Sequence, residues 1–143
     1  MNDEPRIVRE LSQADAWRRL GSVPFGRVVF TSRALPAILP VNHVVDHGRV
    51  IFRTPEASGV ISLTPTRHPV VLAYQADQID PVAGTGWSVL VTGLGGLVDE
   101  PSQAAARYRA TLRSWLVPET GPMILIRPEI VTGYELTAGT RRA

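Results

Sequence analysis

The 143-residue chain contains no cysteine. Disulfides and thiolate metal sites are therefore excluded. It contains no lysine either: all 15 basic residues are arginine. A Schiff-base lysine or a lysine acid/base is impossible. The formal net charge is only +2. The basic residues are scattered, with one short terminal pair, Arg141 and Arg142. No basic stripe or aromatic platform points to nucleic acid. No apolar run approaches the roughly 20 residues of a membrane span. The N-terminus, MNDEPRIVRE, lacks the apolar middle of a secretory signal. These absences predict a soluble, cytoplasmic protein with no nucleic-acid or membrane partner.

Catalytic signatures are missing as well. There is no phosphate loop of the G-x-x-x-x-G-K-[ST] type and no G-x-S-x-G elbow. His43, His47 and His68 lack zinc-ligand spacing, so no metal site is expected. The glycines of GTGWSVLVTGLGG lack the strand-then-helix setting of a dinucleotide fingerprint and read as a bulged strand. Catalytic residues stay unassigned.

What remains is a pattern of short strands. A first helix spans about residues 12–20, with Ser12 as its cap, Asp15 in the capping-box position and Gly21 at its end. Alternation predicts strands at 25–32 and 35–46, the second irregular or at an edge because of Pro36 and Pro40. Asp46-His47-Gly48 makes a tight turn into a return strand at 49–54. A short helix is expected at 55–64, a strand at 69–76, a loop at 77–86 and a long strand at 86–99. A helix follows at 101–116, with Ala105, Tyr108, Leu112, Trp115 and Leu116 at helical spacing. Strands at 123–128 and 131–136 close the chain. The length suits one domain, 1–143, with the strands filling about 25–136. Short links favour antiparallel pairing, so the expected architecture is mainly β, a small barrel with flanking helices.

The return strand carries the most chemistry. Period-two alternation puts Arg49, Ile51 and Arg53 on one face and Val50, Phe52 and Thr54 on the other. Arg53 is then expected to point outward at the strand end. A guanidinium fork suits phosphate oxygens, and the hydroxyls of Thr54 and Ser58 could complete a cradle. A surface arginine beside a threonine helix cap is the simpler reading of the same residues, and the residues alone favour it.

The order of LPAILPVNHVVDHGRVIFRT, VVLAYQADQID, GWSVLVTG and IRPEIVTGYEL resembles the pyridoxamine 5'-phosphate oxidase-like family, near its small nitroimidazole reductase-related members. The likeness runs from about Phe25 to Leu136. The resemblance implies a split β-barrel that binds FMN at a homodimer interface. By motif position Arg53, Thr54 and Ser58 match contacts to the flavin phosphate, with Arg67 as a further candidate. Pro40, Val41, Asn42 and His43 match the strand beside the ring. Trp87 and Ser88 match a strand position that reaches the flavin. The chain departs from the pattern at Gly59 and Val60, where relatives carry a basic residue.

The function implied is an FMN-dependent oxidoreductase acting on a small-molecule substrate, with the flavin supplying the redox chemistry. Two alternatives share the fold: a reductase using the deazaflavin F420, and a non-catalytic or degenerate flavin-binding module.

Overall fold

The structure is a computed structural model that describes residues 5–55, 70–98, 102–112, 115 and 121–139. Seven strands and two helices lie among the described residues. They run β1 (Arg6–Glu10), α1 (Gln13–Gly21), β2 (Phe25–Ser32), β3 (Leu35–Val45), β4 (Val50–Arg53), β5 (Val70–Asp80), β6 (Thr85–Leu97), α2 (Gln103–Thr111) and β7 (Met123–Ala138). Every pairing is antiparallel.

The sheet order is β1-β7-β4-β3-β2-β5-β6, and β6 also pairs with β7. Six strands thus close into a barrel. The early half of β7 lies between β4 and β6, while its late half lies between β1 and β6. That shared 16-residue strand is what splits the barrel. Apolar side chains fill the interior from alternate positions, among them Val28, Val41, Phe52, Leu72, Tyr74, Val89 and Ile126. Leu20 and Ala16 of α1 plug one end. Ser12 caps α1 by accepting from the Asp15 amide at 3.1 Å, as a side-chain oxygen at that position does.

Two hairpins follow from local chemistry. The β3–β4 link has positive φ at both His47 (49°) and Gly48 (70°), with paired bonds of 3.0 Å between Asp46 and Arg49. Two positive φ values match the right-handed twist of the flanking strands. In the β5–β6 link, Asp80 Oδ1 accepts from the amides of Val82 and Ala83 at 2.9 and 3.1 Å. This turn is so tight that the strands extend through most of residues 77–86, where the sequence suggests a loop.

Two further differences have physical causes. The terminal strand β1 is exposed along most of its length and lies at the sheet edge, so no alternation marks it. The segments 123–128 and 131–136 are one strand, β7. Pro128 is accommodated because it faces Gly93 at a register shift in the β6–β7 ladder, the kind of irregularity where a strand tolerates proline. The helix expected at 101–116 is helical over Gln103–Thr111, and Trp115 is exposed. The expected helix at 55–64 falls mostly outside the described residues, as do Ser58, Arg67, Gly59 and Val60.

A second apolar cluster lies outside the barrel, where Ala105, Tyr108 and Leu112 at the end of α2 cover Ile51 and Met123. β4 is consequently buried on both faces. This corrects the outward placement of Arg53: its side chain lies on the expected face, but that face is covered, and the residue is only 5 % exposed.

Candidate functional site

The strand pair β3–β4 gathers most of the candidate residues. His43 pairs with Phe52, Val44 with Ile51 and Val45 with Val50. Asn42 and Arg53 are the next residues along the two strands. The β4 ladder covers only His43–Val45 of β3, whereas the β2 ladder continues back to Leu35. His43 donates its amide to the Pro24 carbonyl at 3.0 Å on the β2 side. Alternation then turns the Pro40 carbonyl to the opposite edge, beyond the last β4 pair.

Asn42 stands beside a cavity of about 530 Å³ lined by the Gly21–Pro24 segment, His43–Val45, Thr111 and Trp115. Its Nδ2 donates to the Pro24 carbonyl at 3.3 Å, and its Oδ1 accepts from the Trp115 amide at 3.0 Å. Arg53 Nη1 donates to the Gly121 carbonyl at 2.9 Å. Thr54 is fully buried, and its amide bonds the Pro122 carbonyl at 3.0 Å. The donor set, a guanidinium with a neighbouring hydroxyl, fits an anionic phosphate.

His43 has an internal role. Its Nε2 lies 2.8 Å from the Leu20 carbonyl, which can only accept, so Nε2 carries the proton. Nδ1 is then the acceptor for the Tyr74 hydroxyl. Burial lowers the His43 pKa, with the Leu20 contact opposing it. Burial likewise pushes the Tyr74 hydroxyl well up, with Arg27 opposing it. Both groups therefore stay neutral at physiological pH, and the imidazole ties β3 to α1 and β5. Tyr74, stacked on Phe52, was given no role from sequence. Its partner is 31 residues away, and nothing local signals it.

Trp87 and Ser88 lie on opposite faces of β6. Trp87 points into the core and is buried. It also lines a cavity of about 650 Å³ with Arg19, Asp80 and Glu135. Glu135 pairs with Arg19 at 2.8 Å and with Arg9. Ser88 faces out, where Gln75 Nε2 donates to its hydroxyl at 3.3 Å. Phe25 pairs with Asn42 and Asp77 with Ser88, so Asn42 and Ser88 lie three strand spacings apart in the sheet. That is about 14 Å at the usual spacing. One chain therefore gathers the β3 and β4 residues but keeps Ser88 apart from them.

Asp46, also missed from sequence, joins several polar side chains. Its carboxylate accepts from the Tyr108 hydroxyl at 2.6 Å, from His47 Nδ1 at 2.6 Å and from Arg107 at 3.0 Å. It fastens the β3–β4 turn to α2. The Tyr108 hydrogen bond, seconded by those from His47 and Arg107, draws its pKa down to about 2 against some desolvation.

The family model described as pyridoxamine 5'-phosphate oxidase matches residues 12–135. The chain belongs to this family. A relative from Mycobacterium tuberculosis, the uncharacterised protein Rv0080, is 48 % identical over 138 residues, covering 95 % of this chain and 90 % of that protein. Among solved structures, the FAD-binding protein of Mycobacterium smegmatis superposes with a TM-score of 0.67 at 28 % identity, covering 90 % of this chain and 98 % of the other. An FAD-binding protein of Mesorhizobium loti superposes with a TM-score of 0.78, covering 93 % and 99 %. At 16 % identity that second likeness concerns the fold alone. The split barrel is therefore the family's fold, and no helix among the described residues is long and apolar enough to cross a membrane.

Proposed function

We propose that this family member binds a flavin, FMN by preference, in a crevice between two copies of the chain, and uses it for redox chemistry on a small molecule. The observation that carries the reading is Arg53 and Thr54, a cation and a hydroxyl at the end of β4, next to the part of β3 that has run beyond its β4 partner. The bound flavin supplies the electron transfer. Arg53 and Thr54 hold its phosphate, joined by Ser58 and Arg67 according to family position. Pro40, Val41, Asn42 and His43 present backbone to the ring, the Pro40 carbonyl acting as an acceptor. The His43 imidazole keeps that strand in place through Leu20 and Tyr74.

Ser88, and the strand around Trp87, would come from the second copy, since one chain holds Ser88 away from Asn42. The outer wall of the barrel supports this pairing. Ile38, Val29, Ala73, Thr92 and Ile130 form one continuous cross-strand row. Ile38 and Ile130 in that row are 61 % and 59 % exposed, and Val71 and Leu90 beside it are 65 % and 40 % exposed. An apolar wall of this kind suits burial against another protein surface, and a second copy is the occupant the shared site requires.

The test is a titration of the purified protein with FMN, FAD and F420 at matched salt, followed by flavin fluorescence and light scattering. Saturable FMN binding by a dimer, weakened about ten- to a hundredfold in Arg53→Ala by loss of a charge-assisted hydrogen bond, is expected. Thr54→Val, which keeps the volume, checks the same cradle. Unchanged affinity in both variants removes the pair from the site. The FAD-binding M. smegmatis neighbour makes FAD the first rival cofactor. F420 binding alone gives the deazaflavin reading, and no binding of any of the three leaves the non-catalytic module.

A further inference from the structure

At the other end of β4 from Arg53, the fold sets two arginines against each other. Val50 pairs with Ile126 in an antiparallel register, so Arg49 and Arg127 are the next residues at the hairpin end of that ladder. They project to the face on which Ile51 and Leu125 lie. Like charges directly opposite across a ladder are destabilising. Asp46 stands 3.7 Å from Arg49 but is also shared with Arg107, His47 and Tyr108. No salt bridge among the described residues engages Arg127.

Both arginines line one cavity of about 260 Å³, which is also lined by Leu97, Leu125, Ser102 and Tyr108. That volume is just below the range of ordinary ligand pockets, about 300–1,000 Å³, and suits a small occupant. An arginine lines it from each of the two strands, and a guanidinium fork matches the planar, bidentate geometry of a carboxylate or phosphate. An anion between them would convert their mutual repulsion into attraction to a common partner.

We propose that this cavity binds a small organic acid, a carboxylate or a phosphate monoester. Its acid group lies between Arg49 and Arg127, and its apolar part lies on Leu97 and Leu125. The site is separate from the flavin crevice: Arg53 pairs with Met123 four residues further along β4, about 13 Å away at strand spacing.

Phenyl phosphate and benzoate are suitable probes, with benzyl alcohol as the uncharged control, followed by backbone amide shifts in the full-length protein. Saturable shifts at Gly96, Ser102 and Arg127 are expected with both acids and not with the alcohol. Arg127→Gln and Arg49→Gln should each weaken binding about tenfold or more. Arg127→Gln should leave the melting temperature equal or higher, because it removes the charge opposition. Arg18→Gln, an exposed arginine on α1, should bind as the parent does. Shifts that fail to saturate, that fall outside the cavity, or that weaken equally in Arg18→Gln overturn the proposal.

Discussion

Replacing Asp46 by asparagine removes the one carboxylate that joins the β3–β4 turn to α2. The folded-state pKa of about 2 lies nearly two units below the ordinary value of 3.8. At about 1.4 kcal/mol per unit this corresponds to at most about 2.5 kcal/mol. The Arg107 and His47 side chains are more than half exposed, and solvent screening reduces the effect to about 1–2 kcal/mol. The sign follows from proton linkage. Between about pH 4 and pH 2 the unfolded chain binds the proton that the folded carboxylate refuses, so stability rises with pH through that window. The contribution is complete above the unfolded pKa and disappears as pH falls through about 2. Urea unfolding of parent and Asp46→Asn at a series of pH values from about 6 to 2 measures it. The variant should be less stable by about 1–2 kcal/mol near neutrality, and the gap should close at the acid end. A gap that stays constant across the acid range would refute the ionic account and leave only a packing role for Asp46.

Tyr74→Phe leaves His43 Nδ1 buried without its donor, and should cost about 1–3 kcal/mol in urea unfolding; an unchanged midpoint would show that water replaces the hydroxyl. A Cβ at Gly93 would lie 2.0 Å from the Arg127 carbonyl oxygen, whereas one at Gly96 meets nothing within 4 Å. Gly93→Ala should therefore destabilise by at least about 1–3 kcal/mol, and Gly96→Ala should stay within about 0.5 kcal/mol on the same scale.

Local chemistry made much of the fold legible. The Ser12 cap, the Asp46-His47-Gly48 turn and the alternation of 25–32 each depend on neighbours in sequence, and each is found in place. Features that depend on distant partners were not readable. β1 becomes a strand only because β7 offers an edge. The segments 123–128 and 131–136 read as two strands because the irregularity that joins them through Pro128 is visible only against Gly93 on another strand. Arg53 was assigned to the expected face of β4, but alternation cannot say that α2, some fifty residues later, covers that face. The same limit applies to the site. The residues of β3 and β4 share one hairpin and could be grouped from sequence, while the internal bonding of His43 rests on Leu20 and Tyr74 from two other elements.

Complementation between two damaged copies tests the shared flavin crevice most directly. Arg53→Ala removes the phosphate anchor, and Ser88→Trp obstructs the wall contributed by the second copy. Each variant alone should bind FMN about tenfold or more weakly than the parent. Refolded together, they should form mixed dimers in which one crevice carries both changes and the other neither, and FMN binding should return at that intact crevice. Mixed dimers that form but bind no FMN, or a single variant that binds it as the parent does, would contradict a phosphate anchor on one chain meeting a flavin wall on the other.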